Sequence, residues 1–209
     1  MSNTCYIVGA SPQTECIDFS PDAEDCIIAA DGGYAFLDRI GIVPDVVIGD
    51  FDSLGYIPTA SKVIPYNKEK DDTDMMLAVR YGLETGYRRF IIFGGLGGRI
   101  DHSIANIQAL SYICSQHAEG WLYDRNTSIT VIGPGTIEFD ETQTGIVSVF
   151  ALDREVYGVT EKGLKFSLQE STLTNNYPLG ISNIFIGNKS SISVREGSLL
   201  IILTKETDM

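Results

Sequence analysis

The pattern of hydrophobic residues changes near Arg125 to Ser128, and this change constrains the fold more than any other feature of the sequence. Before it, short runs rich in Ile and Val alternate with segments of helical period, which is typical of a mostly parallel α/β sheet. After it, the helical period disappears, and short apolar runs separated by glycine-containing turns predict an antiparallel sandwich or barrel. We therefore predict an N-terminal α/β sheet domain at residues 1–126 and a C-terminal antiparallel β-sandwich domain at residues 127–209.

The first domain is predicted to contain six strands and two helices. The predicted strands are Tyr6–Val8, Cys26–Ala30, Val46–Ile48, Lys62–Pro65, Phe90–Phe93 and Trp121–Tyr123. One helix is predicted at residues 73–85, with Asp71 or Asp72 as its capping residue, and the other at residues 101–116, with Asp101 as its cap.

The second domain is predicted to contain only strands. These are Ser128–Ile132, Thr136–Phe139, Ile146–Leu152, Lys165–Leu168, Ile184–Gly187, Ser191–Val194 and Ser198–Thr204. Gly158 and Gly180 are among the glycines predicted to lie in turns between strands.

The composition argues against several classes of partner. The chain has 209 residues and a net charge of −13, so we expect it to bind neither nucleic acid nor anionic membrane surfaces, which need basic patches.

No apolar run approaches the roughly 20 residues of a membrane helix, and the first residues lack the basic leader of a signal peptide. Cys5 and Cys26 lie in apolar runs outside any CxxC pair, which favours buried free thiols and a reducing, cytoplasmic setting.

Four polar clusters each follow a predicted strand of the first domain. In open α/β sheets, ligands bind just beyond the carboxyl ends of the strands, so these clusters predict a common site. They are Ala30–Gly33, Pro44–Leu54, Lys68–Asp74 and Gly94–His102.

Two of the clusters are rich in carboxylates. Asp50 and Asp52 are two residues apart, so in extended chain they point to the same side and offer oxygen ligands suited to Mg²⁺. The alternative is a solvated loop. In the segment Lys68–Asp74, capping and the helix dipole explain one or two acids but not three acids together with two lysines.

The other two clusters are rich in glycine. Gly94–His102 contains four glycines, whose backbone N–H groups can approach phosphate oxygens, and Arg99 adds a charged fork. Neither GxGxxG nor GxxxxGK[ST] occurs, so a common dinucleotide fold or P-loop is not supported. Asp31 beside Gly32 and Gly33 is, taken alone, more often part of an ordinary turn. Acids, a glycine loop and an arginine together indicate metal-assisted phosphoryl chemistry.

Six segments match the motifs of one family in order and approximate spacing. They are Asp31–Gly33, Pro44–Leu54, Lys70–Asp74, Gly94–Asn106, Gly163–Phe166 and Gly180–Asn183. With these motifs, the sequence resembles the thiamine pyrophosphokinase family over roughly residues 5–203. The resemblance implies an enzyme that transfers pyrophosphate from ATP to the hydroxyl of thiamine with Mg²⁺. It also implies a homodimer with active sites between subunits.

The resemblance also implies roles for individual residues. Metal binding falls to Asp50, Asp52 and Asp74, and catalysis to Asp74, Arg99 and Asp101. The nucleotide would contact Asp31, Gly32, Asp50, Asp52, Lys70, Thr73, Asp74 and Arg99. Thiamine would contact Phe166, Ser182 and Asn183.

Several alternatives remain open at this stage. Asp74 and Asp101 are both candidates for the general base. Family members often carry Trp or Tyr at the position of Phe166, and Phe166 is alternatively an inward-facing strand residue. The acceptor is alternatively a pterin or another hydroxymethyl heterocycle, and a sensor on a degenerate kinase scaffold or a purely structural module are the non-enzymatic readings.

Overall fold

The structure is a computed structural model that describes residues 3–11, 20–49, 58, 62–65 and 72–205. Its contacts divide the chain into two compact units, Met1–Arg125 and Asn126–Met209, called here the N-terminal and C-terminal units. Among the described helices, none is long and apolar enough to cross a membrane.

The described part of the N-terminal unit contains a six-stranded, entirely parallel sheet. Its strands are β1 (Thr4–Val8), β2 (Cys26–Ala30), β3 (Val46–Gly49), β4 (Lys62–Pro65), β5 (Arg89–Phe93) and β6 (Glu119–Tyr123). They lie in the order β6-β5-β1-β2-β3-β4. The central strands are buried almost throughout, which explains their largely apolar sequences. The prediction of a mostly parallel α/β sheet is confirmed.

Three described helices accompany this sheet: α1 (Gly33–Arg39), α2 (Asp74–Glu84) and α3 (Ile100–Ser115). The sequence analysis missed α1, a seven-residue helix whose Leu37 packs in a cluster with Val8, Ala29 and Val47. Helices of this length are marginal on their own, so the periodic signal was too short to detect and tertiary packing stabilises the helix.

Both predicted helix caps are wrong. The N-cap of α2 is Thr73, whose Oγ1 accepts a hydrogen bond from Met76 N at 3.2 Å. Asp72 instead accepts from Arg80 Nη1 at 2.8 Å, and Asp71 lies outside the described residues. Helix α3 begins after Arg99 without a side-chain cap, which places Asp101 in its first turn.

The C-terminal unit is a sandwich of two antiparallel sheets, as predicted. Its described strands are β7 (Thr127–Ile132), β8 (Gly135–Phe139), β9 (Ile146–Ala151), β10 (Glu155–Lys162), β11 (Leu168–Thr174), β12 (Gly180–Ile184), β13 (Ser190–Val194) and β14 (Leu199–Thr204). One sheet has the order β12-β9-β14-β7 and the other β11-β10-β13-β8. Inward-facing residues of both sheets, including Val149, Val159, Ile192 and Ile201, form one core.

In this unit two strands were missed and two predicted strands are wrong. Strand β10 was missed because Gly158, with φ +67°, was interpreted as a turn, whereas it lies where the pairing with β11 shifts register between Val156 and Val159. Edge strand β11 was missed because it is largely polar and exposed. The predicted strand Lys165–Leu168 is mostly the connection before β11, and the predicted strand Ile184–Gly187 is displaced from β12, which ends at Ile184.

Candidate active site

The site in the N-terminal unit lies at the carboxyl edge of the parallel sheet. The chain leaves β1 towards β2, β3 and β4 on one side and returns to β5 and β6 on the other, so the strand order reverses between β1 and β5. Two hydrogen bonds join the chain beyond these strands: Gly9 N donates to Phe93 O at 2.8 Å, and Ser11 N donates to Gly94 O at 3.1 Å. Ligands of open α/β sheets bind at such a reversal.

The glycine-rich loop that follows β5 is fixed by hydrogen bonds from neighbouring polar groups. Gly94, Gly97 and Gly98 all have positive φ, a backbone conformation that glycine adopts without steric cost. The Ser11 hydroxyl donates to Leu96 O, and the buried Asn106 Nδ2 donates to Gly95 O at 2.7 Å. The loop therefore presents backbone to the site in a fixed conformation.

The sequence analysis assigned no role to Ser11. Its position in the sequence could have indicated a role at the site, because Ser11 follows β1 just as the four recognised clusters follow their strands. Two of its groups hold the glycine loop, the backbone N–H and the hydroxyl. It is therefore a structural component of the candidate phosphate site.

Asp31 lies at the end of β2 against the end of β3. Its N–H donates to Ile48 O at 2.8 Å, and a Cβ placed on Gly49 would be 3.0 Å from the Asp31 Cα. Its φ is +45°, a left-handed conformation that costs a non-glycine residue free energy and clusters at functional sites. Asp31 therefore lies beside the residue that precedes Asp50. Asp50, Asp52 and Lys70 themselves lie outside the described residues.

The start of α2 reaches the same edge. A Cβ on Gly9 would lie 2.7 Å from Gly94 O and 3.0 Å from Met75 Cε, so the first turn of α2 packs beside the ends of β1 and β5. Asp74 is half-buried in this first turn, and Thr73 precedes it as the cap. Thr73 and Asp74 therefore lie in a helical turn that begins at the same edge of the sheet as the glycine loop.

Arg99 and Asp101 form an exposed bidentate pair at the start of α3. Arg99 Nε donates to Asp101 Oδ1 at 3.1 Å and Nη2 donates to Oδ2 at 2.5 Å. The hydrogen bonds from Arg99 lower the pKa of Asp101, and the same pair raises the pKa of Arg99. A carboxylate with a lowered pKa is a weak proton acceptor, so this geometry disfavours Asp101 as the general base.

The described residues contain no cluster of three or more His, Cys, Asp or Glu side chains able to hold a metal ion. Two of the three predicted ligands, Asp50 and Asp52, lie outside that part of the chain, so this absence does not bear on the predicted magnesium site.

In the C-terminal unit, Phe166 lies on the connection between β10 and β11. Its side chain is 60% exposed, so the alternative that it is an inward-facing strand residue is wrong. Lys165 Nζ lies 5.6 Å from the centroid of its ring. An exposed aromatic ring of this kind is available to stack on a flat ligand.

Asn183 holds the backbone of Phe166. Its Oδ1 accepts from Phe166 N at 3.0 Å and from Ile184 N at 2.9 Å, and its Nδ2 donates to Phe166 O at 2.7 Å. Asn183 is buried, whereas the neighbouring Ser182 is exposed, with φ +60° and its N–H donating to Ser148 Oγ at 3.0 Å. Of the two, Ser182 is the one open to a ligand.

In comparisons with known proteins, one family model matches within each of the two units. The family model for "Thiamin pyrophosphokinase, catalytic domain" matches residues 21–122, and that for "Thiamin pyrophosphokinase, vitamin B1 binding domain" matches residues 135–199. A thiamine pyrophosphokinase of Bacillus subtilis (strain 168) is 32% identical over 95% of this chain and 97% of its own length.

The chain belongs to the thiamin pyrophosphokinase family.

Solved structures of the family have the same fold. That of thiamine pyrophosphokinase from Bacillus subtilis has a TM-score of 0.88 at 28% identity, covering 98% of this chain and 100% of its own. That of thiamin pyrophosphokinase from Geobacillus thermodenitrificans has a TM-score of 0.84 at 29% identity, covering 98% and 99%. The resemblance inferred from the sequence motifs is confirmed. The catalytic-domain model of the family spans Asp31, Asp74 and Arg99, and the vitamin B1 binding model spans Phe166, Ser182 and Asn183.

Glu161, which the sequence analysis did not single out, is also within the vitamin B1 binding model. It is 1% exposed in β10, and its Oε2 accepts a hydrogen bond from Asn183 Nδ2. Burial raises its pKa, and the hydrogen bond from Asn183 opposes this shift. Glu161 could have been noticed in the sequence because it lies two residues after Val159, on the same face of the strand, where an apolar residue is expected.

This raised pKa predicts how stability changes with pH. Because the folded-state pKa of Glu161 exceeds the unfolded value, its favourable contribution is complete below the ordinary carboxyl pKa and is lost as pH rises through the raised value. We expect the free energy of unfolding of Glu161→Gln, relative to wild type, to increase with pH above about 4.5, by at most about 1.4 kcal/mol per pH unit. Urea unfolding of both proteins between pH 4.5 and 8 measures the difference. A difference independent of pH would show that Glu161 titrates normally.

Proposed function

We propose that the protein transfers the pyrophosphoryl group of ATP to the hydroxyl of thiamine, producing thiamine diphosphate and AMP. The observation that carries this proposal is the match of both family models, catalytic and vitamin B1 binding, to one chain that aligns with a family member over nearly its full length. The glycine loop and the side chains at the carboxyl edge of the sheet supply the geometry for the phosphoryl chemistry.

The ATP phosphates would lie against the loop Gly94–Gly98. Backbone N–H groups of this loop donate to phosphate oxygens, and Arg99, whose side chain is 72% exposed, reaches the transferred group. A guanidinium has five N–H donors, more than the pair with Asp101 uses. Arg99 would therefore stabilise charge developing on the phosphoryl oxygens. The remainder of the nucleotide site would be lined by Asp31, Gly32, Lys70 and Thr73.

Carboxylate oxygens are the ligands that Mg²⁺ prefers, so the donor set Asp50, Asp52 and Asp74 fits this ion by type. When bound, Mg²⁺ would neutralise phosphate charge. Such neutralisation matters in a chain with a net charge of −13, which otherwise repels ATP.

The proton of the thiamine hydroxyl would pass to one of two carboxylates, Asp74 or Asp101. Arg99 lowers the pKa of Asp101, which weakens it as an acceptor, and a bound Mg²⁺ would weaken Asp74 in the same way. The hydroxyl oxygen bonds to the β-phosphorus, and the bond from that phosphorus to the oxygen bridging the α-phosphorus breaks. AMP leaves with that oxygen.

Thiamine would stack on Phe166 and contact Ser182. We predict that Phe166→Ala raises the KM for thiamine by about 10- to 100-fold, because stacking on an aromatic side chain contributes about 1–3 kcal/mol. The KM for ATP should stay within about twofold, since the residues proposed to bind the nucleotide lie in the N-terminal unit, whereas Phe166 lies in the C-terminal unit. Steady-state kinetics with each substrate varied in turn measures both constants.

A matched control for this variant is Tyr177→Ala. Tyr177 is an aromatic residue of the same unit and is 67% exposed, so its removal tests whether any exposed ring affects thiamine. We expect no change in either KM. Equal effects of the two substitutions would remove Phe166 from the thiamine site.

The proposed reaction is tested by incubating the purified protein with ATP, MgCl₂ and thiamine and identifying products by chromatography with mass detection. Thiamine diphosphate together with AMP, formed only with the metal, is the expected result. ADP with thiamine monophosphate would show that a single phosphoryl group is transferred. Turnover of a hydroxymethyl pterin but not of thiamine would change the acceptor, and thiamine binding without turnover would indicate a sensor.

We also propose a homodimer with active sites between subunits and a cytoplasmic setting. The second proposal is supported by Cys5 and Cys26, which are adjacent partners on β1 and β2 and yet both free. Light scattering coupled to size exclusion tests the first, with twice the chain mass of 22.8 kDa as the expected result.

A further inference from the structure

We propose that Glu161 is a positioning residue for thiamine: with Asn183 it forms a buried pair that holds Phe166 in the conformation that receives the substrate. This proposal rests on the proposed function, since Phe166 is taken to contact thiamine. It concerns a residue that lies inside the sandwich and does not itself reach the ligand.

The side-chain amide of Asn183 uses its full hydrogen-bonding capacity. A primary amide offers two donor hydrogens and two acceptor lone pairs, and all four are used here. Oδ1 accepts from Phe166 N and Ile184 N, and Nδ2 donates to Phe166 O and to Glu161 Oε2. Asn183 thus pairs with both backbone groups of Phe166, as a neighbouring strand would.

Regular sheet pairing ends just before Phe166, and the side chain of Asn183 pairs with the backbone at that point. Leu164 forms an isolated bridge with Phe185, and Lys165 N donates to Ile184 O at 3.0 Å. At the next residue, the amide of Asn183 replaces the backbone ladder. The position of the Phe166 ring therefore depends on the orientation of one side-chain amide.

Glu161 supplies the hydrogen-bond acceptor for the remaining donor of Asn183. Both it and Asn183 are almost fully buried, at 1% and 5% exposure, so the second Nδ2 hydrogen of Asn183 has no access to bulk water. Glu161 Oε2 is the acceptor for this hydrogen. Without it, a buried N–H would remain unsatisfied, and the amide would gain by rotating away from Phe166.

Retaining a glutamate here has a cost that a purely structural role does not explain. Glu161 Oε1 is buried and has no hydrogen-bond partner among the described residues, and a carboxyl in this position is desolvated. The neighbouring alternation position on the same strand holds Val159, which is fully buried in the sandwich core. An apolar residue would fill the position of Glu161 without this cost, so the acceptor itself is the useful feature.

Three variants separate positioning from stability. Glu161→Leu removes the acceptor at similar volume, Glu161→Gln keeps an acceptor oxygen, and Val159→Ala destabilises the same strand without changing the pair. For Glu161→Leu we expect the KM for thiamine to rise about tenfold, equivalent to about 1.4 kcal/mol, with kcat within about twofold. Glu161→Gln and Val159→Ala should keep the wild-type KM values, and the KM for ATP should not change in any variant.

A second measurement does not depend on turnover. Hydrogen exchange followed by NMR reports the Asn183 side-chain amide and the Phe166 backbone amide. In the wild type, we expect both to exchange much more slowly than the side-chain amide of the exposed Gln169. In Glu161→Leu, both should exchange faster. This measurement tests the pair even if Glu161→Leu does not fold, because the wild type alone shows whether the Asn183 amide is protected.

The outcomes separate the pair from the reaction. A wild type that does not convert thiamine rejects the proposed function, and the exchange measurement still decides whether the pair holds Phe166. A wild type that converts thiamine, with an unchanged KM in Glu161→Leu, rejects the positioning role. A KM that rises equally in Glu161→Gln and Glu161→Leu also rejects it, since the negative charge rather than the hydrogen bond would then act on thiamine. Rapid exchange of the wild-type Asn183 amide overturns the pair outright.

Discussion

Replacing Asp74 by asparagine is expected to lower kcat by about 10²- to 10³-fold, comparable to about 3–4 kcal/mol of transition-state stabilisation. The proposed role of Asp74 is to bind the metal, and it is one of two candidate acceptors of the thiamine hydroxyl proton; an amide performs both tasks poorly. The backbone should not change, because Thr73 and not Asp74 caps α2. Steady-state kinetics at saturating ATP, with circular dichroism and thermal unfolding as checks of the fold, measures the effect.

Glu84→Gln provides the matched control. Glu84 is the exposed last residue of the same helix, so this variant changes the charge by the same amount at the end of α2 remote from the glycine loop. It should keep wild-type kcat within about twofold, since exposed charges remote from a site have small effects. If Asp74→Asn remains as active as Glu84→Gln, Asp74 has no direct role in the reaction.

Replacing Gly33 by alanine is expected to destabilise the protein by about 3–5 kcal/mol, which is large for a single methyl group. A Cβ on Gly33 would lie 1.9 Å from Val8 O and 2.6 Å from Val8 C, both backbone atoms of β1. Because β1 is central in its sheet, α1 must move instead and withdraw Tyr34 and Leu37 from the core. Thermal unfolding should show a midpoint lower by about 10 °C or more.

The control for this substitution is Gly41→Ala, just beyond the same helix. Gly41 has φ +74° with no neighbour within 4 Å of an added Cβ, so the change costs only the left-handed conformation, about 1–2 kcal/mol. A midpoint for Gly33→Ala that equals that of Gly41→Ala would mean that α1 does not pack against β1 as closely as the structure shows.

The strands of the N-terminal unit were largely predictable from sequence because their signal is local. Cys26–Ala30 and Lys62–Pro65 were predicted with the bounds that the structure gives. Cys26–Ala30 is a buried parallel strand, and such strands form unbroken apolar runs between polar turns. The polar clusters were visible for the same reason, as each follows its strand directly. In the C-terminal unit, the same rules failed at β10 and β11, where a register shift places a glycine inside a strand and an edge position allows a polar sequence.

The side-chain partners were not predictable. The acids Asp71 and Asp72 were chosen as caps of α2 by residue type, but Thr73 occupies the capping position and Asp72 pairs with Arg80. Asn183 was assigned to thiamine by family motif, whereas the structure shows its amide engaged with Phe166, 17 residues away in sequence. Which polar group a side chain meets depends on distances that residue type does not contain.

The two-part architecture and the family could be inferred from the sequence, because hydrophobic period and strand-end motifs are properties of neighbouring residues. The three-dimensional structure was needed to establish that Ser11 holds the glycine loop, that Arg99 lowers the pKa of Asp101, and that Phe166 faces solvent. It also showed that an acidic residue, Glu161, is buried against Asn183, which holds the backbone of Phe166. The physical reason is that hydrogen bonding and desolvation depend on which distant segments meet, and chain packing alone brings β10 and β12 to the backbone of Phe166.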